Sequence, residues 1–206
     1  EALGNVEFFD GEVRVLAPSG WHHAEEKRTQ FTDGVMLVDS LATLTSWEGE
    51  YFSEEKRAEF AHEVRLHRPW SYLESDSITY HRDTDISLAR GEVLIERWEE
   101  TEEGTPPDSV SRTYLMGDWA YNDEHAGLSI MEGRSFVMQL RYDQDSAETD
   151  TLLMRSNRIE AIERDEQSRI IAIGDARSWR QDFAAVADSV VYDRYEPIAG
   201  PLDEEP

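Results

Sequence analysis

The sequence predicts an all-β protein of stacked two-strand units that form two facing antiparallel sheets. Three features of its 206 residues predict this class: a 29-residue repeat, alternation of polar and apolar residues within each unit, and charged turns between the predicted strands. The length is enough to bury a substantial core. No stretch approaches the roughly 18 uninterrupted apolar residues of a membrane span, so we expect that the chain as given does not cross a membrane.

The repeat is most visible where EEKRTQF at 25–31 recurs as EEKRAEF at 54–60, an offset of 54 − 25 = 29 residues. The same offset aligns two apolar columns, namely Val35, Val64 and Val93, and Leu37, Leu66 and Ile95. Three units in register at one period are hard to obtain by chance. The repeat therefore predicts one structural unit used several times.

Each unit is predicted to be two strands joined by a charged turn. In the second unit, 44–51 and 59–66 are the strands and 53–57 is the turn. The stretch 59–66 alternates polar with largely apolar residues, as a strand with one buried face requires. A helix would need apolar residues at steps of three and four, which these segments lack. Gly34 and Gly91 are predicted to mark bulges or bends.

The second half of the chain keeps this pattern with looser spacing. Its predicted strands are 117–121, 135–140, 153–159, 169–173 and 187–192. Because the pattern resumes there, we expect a single domain over 1–195, with the acidic run near 99–111 as an exposed inserted loop rather than a linker between two domains. The tail 196–206, rich in proline and acid, is expected to be disordered.

The charge of the chain is strongly negative. Asp and Glu total 45 against 20 Lys and Arg, a formal charge of −25, and only Lys27 and Lys56 are lysines. This charge argues against nucleic acid as a partner, and we expect none. With the scarcity of lysine, it favours adaptation to high salt, where the Debye length falls to about 3 Å at 1 M; an ordinary acidic protein is the alternative. The absence of cysteine excludes thiolate zinc sites and cysteine nucleophiles.

The inward-facing apolar residues have two interpretations. They form either an ordinary packed core or a groove between the sheets that admits acyl chains, and periodicity does not separate the two. The candidate lipid-binding residues of the second interpretation are Val35, Leu37, Phe60, Val64, Leu66, Ile78, Val93, Ile95, Phe136 and Met138. A stack of this kind also has two open sheet edges, which must be capped or must pair with another chain.

Carboxylate pairs and histidines are the remaining candidates for chemistry. Asp83 with Asp85 could serve as a pair in a carbohydrate-active enzyme, but a solvated turn is the favoured interpretation. The segment 143–145 lacks the glycine and distal glutamate of a dedicated calcium loop. His23 and His81 share a repeat column (81 − 23 = 58), and no HExxH motif is present. We therefore expect no metal, no cofactor and no catalytic residues.

A recurring motif carries a family resemblance. SDSITY at 75–80 leads to ARGEVLI at 89–95, and the segments 4–8 and 187–192 are similar to parts of it. This pattern resembles the repeat of the OstA-like, LptA-type lipopolysaccharide-transport family, and the resemblance covers about residues 4–193. It departs from the family pattern at Trp47, where the motif has Asp.

The resemblance implies a twisted β-jelly roll and a non-enzymatic role. Members of the family carry lipopolysaccharide through the periplasm with its acyl chains between the sheets, and they stack end to end. The implied partners are lipopolysaccharide or a related lipid, and further copies or other bridge proteins at the sheet edges. The implied location is the periplasm, in association with the outer or inner membrane, and the chain's start at Glu1 fits a mature or trimmed protein. A carbohydrate-active β-roll enzyme and a structural repeat domain of a surface protein are the alternatives.

Overall fold

A computed structural model describes residues 2–11, 13–40, 42–98, 110–143, 148–164, 167–181 and 183–195. Within these ranges every regular element is a β-strand, which confirms the predicted all-β class. The strands are β1 (Ala2–Asp10), β2 (Val13–His23), β3 (Arg28–Thr32), β4 (Val35–Val38), β5 (Thr43–Ser46), β6 (Glu48–Phe52), β7 (Arg57–Arg68), β8 (Ser71–His81), β9 (Ile86–Trp98), β10 (Arg112–Asp123), β11 (Leu128–Asp143), β12 (Glu148–Arg164), β13 (Gln167–Arg180) and β14 (Phe183–Tyr195).

Hydrogen bonds join the fourteen strands into one antiparallel sheet. From β7 to β14 each strand pairs with the next along the chain. Nearer the N-terminus, β3 and β4 both pair with β2, while β5 and β6 both pair with β7. The predicted strand 44–51 is therefore two strands, separated at Trp47. Strands β1 and β14 form the two edges of the sheet.

The sheet folds on itself along a line of paired left-handed residues, which we call the corner. The pairs are Gly4–Asn5, Asp33–Gly34, His62–Glu63, Gly91–Glu92, Gly133–Arg134 and Gly174–Asp175. The first four recur every 29 residues, since 33 − 4, 62 − 33 and 91 − 62 are all 29. The ladder register shifts at the corner, as at a β-bulge. The predicted bends at Gly34 and Gly91 are confirmed.

The corner divides the strands into two facing leaves. The first leaf comprises 6–10, 13–17, 35–38, 43–46, 64–75, 93–98, 112–116, 135–143, 148–156, 176–180 and 183–187. The second leaf comprises 19–23, 28–32, 48–61, 77–90, 119–132, 158–164, 167–173 and 189–195. The facing sheets predicted from the sequence are thus the two halves of one folded sheet.

Buried serines satisfy backbone carbonyls at the corner. The hydroxyls of Ser46, Ser75 and Ser156 donate to the carbonyl oxygens two residues further on, at 2.9, 3.1 and 2.7 Å. A buried carbonyl without a partner costs on the order of 1–3 kcal/mol. The serines therefore stabilise the bend at positions where the sheet ladder is interrupted.

Two clusters of buried apolar residues lie between the leaves. The N-terminal cluster contains Val15, Ala17, Phe31, Val35, Leu44, Ala58, Phe60, Val64 and Ile78. The C-terminal cluster contains Ala89, Val93, Leu115, Ala120, Met131, Val137, Leu152, Met154, Ile159, Ile170, Ala172 and Ala176. Leu73 packs against both clusters. The prediction of a single domain over 1–195 stays a prediction.

Three sequence predictions fall wholly or partly outside the described residues. These are the acidic loop, of which 99–109 is not described, the segment 143–145 beyond Asp143, and the tail 196–206. Among the residues that are described, no helix is long and apolar enough to cross a membrane.

Candidate functional site

An inner cavity of about 170 Å³ lies between the leaves in the N-terminal half of the roll. Strands β1 to β10 and their turns provide all of its lining. The apolar part of the lining consists of Phe8, Val13, Val15, Phe31, Leu37, Ala42, Leu44, Ala58, Phe60, Leu66, Leu73, Ile78 and Ile95. Apolar side chains on both sides of a gap of this kind suit an apolar ligand.

Five of the ten candidate lipid-binding residues line this cavity: Leu37, Phe60, Leu66, Ile78 and Ile95. They come from β4, β7, β8 and β9, and they reach the cavity from both leaves. The periodicity of the sequence identified these five residues because each occupies an inward position of its strand. Their role in lipid binding stays a prediction.

Three further candidates lie in the packed clusters and not on the cavity wall. Val35 and Val64 belong to the N-terminal cluster, Val93 belongs to the C-terminal cluster, and none of the three is more than 3% exposed. The structure therefore gives these valines the packing role that was the alternative interpretation of the inward columns.

The last two candidates, Phe136 and Met138, face the outside of the first leaf. They are half-buried, and the residue between them, Val137, is fully buried in the C-terminal cluster. Successive side chains of a strand point to opposite faces, so Val137 is the inward residue and the candidates were displaced by one position. Met116, the cross-strand partner of Phe136, is 40% exposed.

Sequence reasoning missed several residues of the cavity. Phe8 from the edge strand β1 packs against Phe31 and Tyr51, with ring centroids 5.8 and 5.5 Å apart. Tyr51 and Tyr80 share a repeat column (80 − 51 = 29), and that signal could have identified both as wall residues. Burial, followed by a hydrogen bond to Asp85, raises the pKa of the Tyr80 phenol above its ordinary value.

Polar contacts bridge the two leaves on the side away from the corner, which we call the open side. Arg68 of the first leaf donates to Glu124 of the second at 2.5 Å, and Arg97 donates to Ser129 at 3.1 Å. Further along the roll, the Arg180 guanidinium lies 6.0 Å from the ring centre of Tyr192, again across the opening. These contacts link the two leaves to each other along the open side.

A further bridge between the leaves lies at the N-terminal end of the open side. There Arg82 donates to Asp10 at 3.0 Å, and the Tyr51 hydroxyl donates to the same carboxylate oxygen. Burial, followed by the hydrogen bond to Asp10, raises the pKa of the Tyr51 phenol above its ordinary value. We call these three side chains the Asp10 partition.

A second cavity, the vestibule, adjoins the Asp10 partition and has a volume of about 520 Å³. It is lined by Phe8, Phe9, Asp10, Tyr51, Ser53, Lys56, Arg82 and Asp83. Phe9 is 62% exposed, so an apolar side chain faces solvent beside the two cationic residues. The vestibule thus combines aromatic surface with two cations, each of which is paired with a carboxylate of the same lining.

The two carboxylates weighed as an enzymatic pair, Asp83 and Asp85, have local structural partners. Asp83 pairs with Lys56 at 3.1 Å, while Asp85 accepts a hydrogen bond from Tyr80 and lies 3.1 Å from His125. In the described part of the chain, no group of three His, Asp or Glu side chains could hold a metal ion.

The inner cavity is small for a lipid. An engineered apolar cavity of about 150 Å³ holds a benzene molecule, so about 170 Å³ accommodates only a short part of an acyl chain. A longer chain requires the leaves to separate, and the polar contacts across the open side resist that separation.

The fold and the cavity together define the class of this protein: an antiparallel β-roll with an apolar site between its leaves. The OstA-like protein family model matches residues 21–76, which run from the end of β2 into β8, and the resemblance stated from the sequence is confirmed over this segment. Many of the cavity-lining residues lie inside it.

A solved structure is also similar to this chain. It is LptH of Pseudomonas aeruginosa, described as the LptA-homologous periplasmic component of a conserved lipopolysaccharide transport device. The match has 12% sequence identity and a TM-score of 0.45, and it covers 58% of this chain and 73% of LptH. No curated protein matches the sequence.

Proposed function

We propose that this protein is a non-enzymatic lipid-binding component of lipopolysaccharide transport that shields acyl chains between its leaves. The observation that carries the proposal is the apolar inner cavity, because much of its lining falls within the segment that matches the OstA-like model. The ligand is lipopolysaccharide or a related lipid, and the site of action is the periplasm, on the way to the outer membrane.

The open edges of the sheet support a role in a bridge of several proteins. In the part of the chain that the structure describes, strands β1 and β14 each have one neighbour, so each has a row of backbone groups available for another strand. β14 contains no lysine and no proline, residues that commonly protect an edge, and Val186 and Val191 are 77% and 54% exposed. We propose that these edges join further copies or other bridge proteins head to tail.

Photo-crosslinking tests the location of the lipid. A photoreactive phenylalanine analogue is placed at Leu66, which lines the inner cavity, and at Arg65, which is the next residue on the same strand and faces outward. Purified lipopolysaccharide is added, and the labelled protein is quantified after irradiation. We expect Leu66 to label at least about tenfold more than Arg65, since adjacent strand residues face opposite sides.

Two further positions sharpen this test. Leu37 lines the cavity from β4 and is expected to label, whereas Met138 faces outward in the C-terminal half and is expected not to label. Equal labelling at Leu66 and Arg65 would contradict a lipid site between the leaves. Labelling at Met138 alone would move the site to the outer face of the first leaf.

A further inference from the structure

The inner cavity and the vestibule share five wall residues. Phe8, Asp10, Tyr51, Lys56 and Arg82 line both spaces, which therefore adjoin each other at these side chains. The Asp10 partition thus stands between an apolar space and an open one. A molecule passing from the vestibule to the inner cavity must displace this partition.

The vestibule has two cationic side chains in a chain of formal charge −25. Lys56 lies 3.1 Å from Asp83, and Arg82 lies 3.0 Å from Asp10. These four side chains are between 40% and 58% exposed, so a ligand in water can reach them. Exposed ion pairs contribute little, about 0–1 kcal/mol, and a competing anion can therefore replace either carboxylate.

The carboxylate of Asp10 is the group that an incoming anion would compete with. It accepts hydrogen bonds from both Arg82 and Tyr51, which belong to the opposite leaf. An anion that binds Arg82 in place of Asp10 removes one of the two hydrogen bonds that join the Asp10 carboxylate to the second leaf. Binding of the anion and opening of the partition are therefore coupled.

We propose that the vestibule binds the anionic group, phosphate or carboxylate, of an amphiphile whose acyl chain then enters the inner cavity. The anion replaces Asp10 on Arg82 and pairs with Lys56. Displacement of the partition enlarges the inner cavity beyond its present volume of about 170 Å³. The inference rests on the proposed function and adds to it the class of head group and the place where the chain enters.

Calorimetric titration of the whole protein tests the inference with three probes. Dodecyl phosphate and dodecyl maltoside share one alkyl chain and differ in head-group charge, and inorganic phosphate has the anion without the chain. Each amphiphile is used below its micelle concentration. We expect dodecyl phosphate to bind at least about tenfold more tightly than dodecyl maltoside, as hydrogen bonds to charged groups allow. Inorganic phosphate is expected to bind more weakly than dodecyl phosphate.

Variants assign the effect to the vestibule. Arg82→Gln and Lys56→Gln are each expected to weaken dodecyl phosphate about tenfold, without weakening dodecyl maltoside. Asp10→Asn is expected to tighten dodecyl phosphate several-fold, because it removes the competing charge. The control is Arg65→Gln, which removes an outward cation paired with Glu74 at 3.5 Å and is expected to change neither affinity.

The outcomes separate this inference from the proposed function. If both amphiphiles bind equally, or if Asp10→Asn weakens dodecyl phosphate, the head-group site is refuted while lipid binding stands. If inorganic phosphate binds as tightly as dodecyl phosphate, the vestibule is an anion site unconnected to the cavity. If neither amphiphile binds, the proposed function itself fails. Circular dichroism of each variant establishes that it is folded.

Discussion

Replacing Gly91 by alanine should destabilise the fold much more than its backbone conformation alone would require. Gly91 has φ of +78°, and a methyl group built there would lie 2.6 Å from Cγ and 2.7 Å from Cβ of Asp76 on the neighbouring strand. Rotation of Asp76 cannot remove the second contact, because a Cβ atom is fixed by its backbone. The two strands must therefore move apart at the corner.

Gly4 supplies a matched control for the magnitude. Its φ is +79°, nearly that of Gly91, but among the described residues other than its chain neighbours no atom lies within 4 Å of the position that a methyl group would take. A left-handed alanine costs about 1–2 kcal/mol, and overpacking adds about 1–3 kcal/mol. We expect Gly4→Ala to lower the free energy of unfolding by about 1 kcal/mol and Gly91→Ala to lower it by about 3 kcal/mol.

Urea unfolding followed by circular dichroism at one fixed salt concentration measures both values. The slope of free energy against urea should stay the same, so that the midpoints compare stability directly. In the double variant Gly91→Ala/Asp76→Gly, the part of the stability loss that comes from overpacking should largely disappear. A double-mutant cycle measures this as an interaction energy between the two positions. Equal losses for Gly91→Ala and Gly4→Ala would refute close strand packing at the corner.

Three further predictions follow from the charge, the corner and the cavity. The thermal unfolding midpoint should rise from about 0.1 M to molar salt as repulsion is screened, and an unchanged midpoint would contradict adaptation to salt. Hydrogen bonds from Ser19 and then Thr32 lower the pKa of Asp33. Ser19→Ala should therefore raise the pKa of Asp33 in an NMR titration. The stabilisation that Asp33 contributes is present above its unfolded-state pKa and is lost as pH falls through its folded-state pKa. In urea unfolding, Val64→Ala should lower the free energy of unfolding by about 2 kcal/mol. Leu66→Ala should lower it by about 1 kcal/mol, because Leu66 already borders a cavity. Only Leu66→Ala should weaken lipid binding in calorimetry.

The sequence predicted the first half of the roll well because its period equals the spacing of the corner. The 29-residue offset that aligns Val35, Val64 and Val93 also separates the left-handed pairs, so each inward column keeps its phase. Alternation then assigned Leu37 and Leu66 to the interior correctly. A periodic chain with one buried face leaves little freedom in which side chains point inward.

In the second half, the predicted strands are found, but the inward assignment of Phe136 and Met138 was displaced because the spacing between corners changes there. Gly133 follows Gly91 by 133 − 91 = 42 residues and not by 29. Counting from the glycine instead, Ile95 is four residues beyond Gly91 and Val137 is four residues beyond Gly133, so Val137 takes the inward position. Aligning the corner glycines would have avoided the displacement to Phe136.

The open-side contacts could not be predicted from periodicity. Arg82 and Asp10 are 72 residues apart, and Arg68 and Glu124 are 56 residues apart, with no common repeat column. They meet because the two leaves face each other and the ends of successive strands lie along one side. A local pattern describes neighbours within a leaf and contains no information on pairs across the opening.

The layered pairing also makes the roll a spacer of defined length. We call each successive strand position along the sheet a layer. Because β3 and β4 share one layer and β5 and β6 share another, the fourteen strands make twelve layers. At about 4.8 Å between neighbouring strands the roll spans about 53 Å. One 29-residue unit adds two layers, so its duplication would lengthen the span by about 10 Å while keeping the cross-section unchanged. The distance that one copy can cover is thus set in steps by the number of units in the gene.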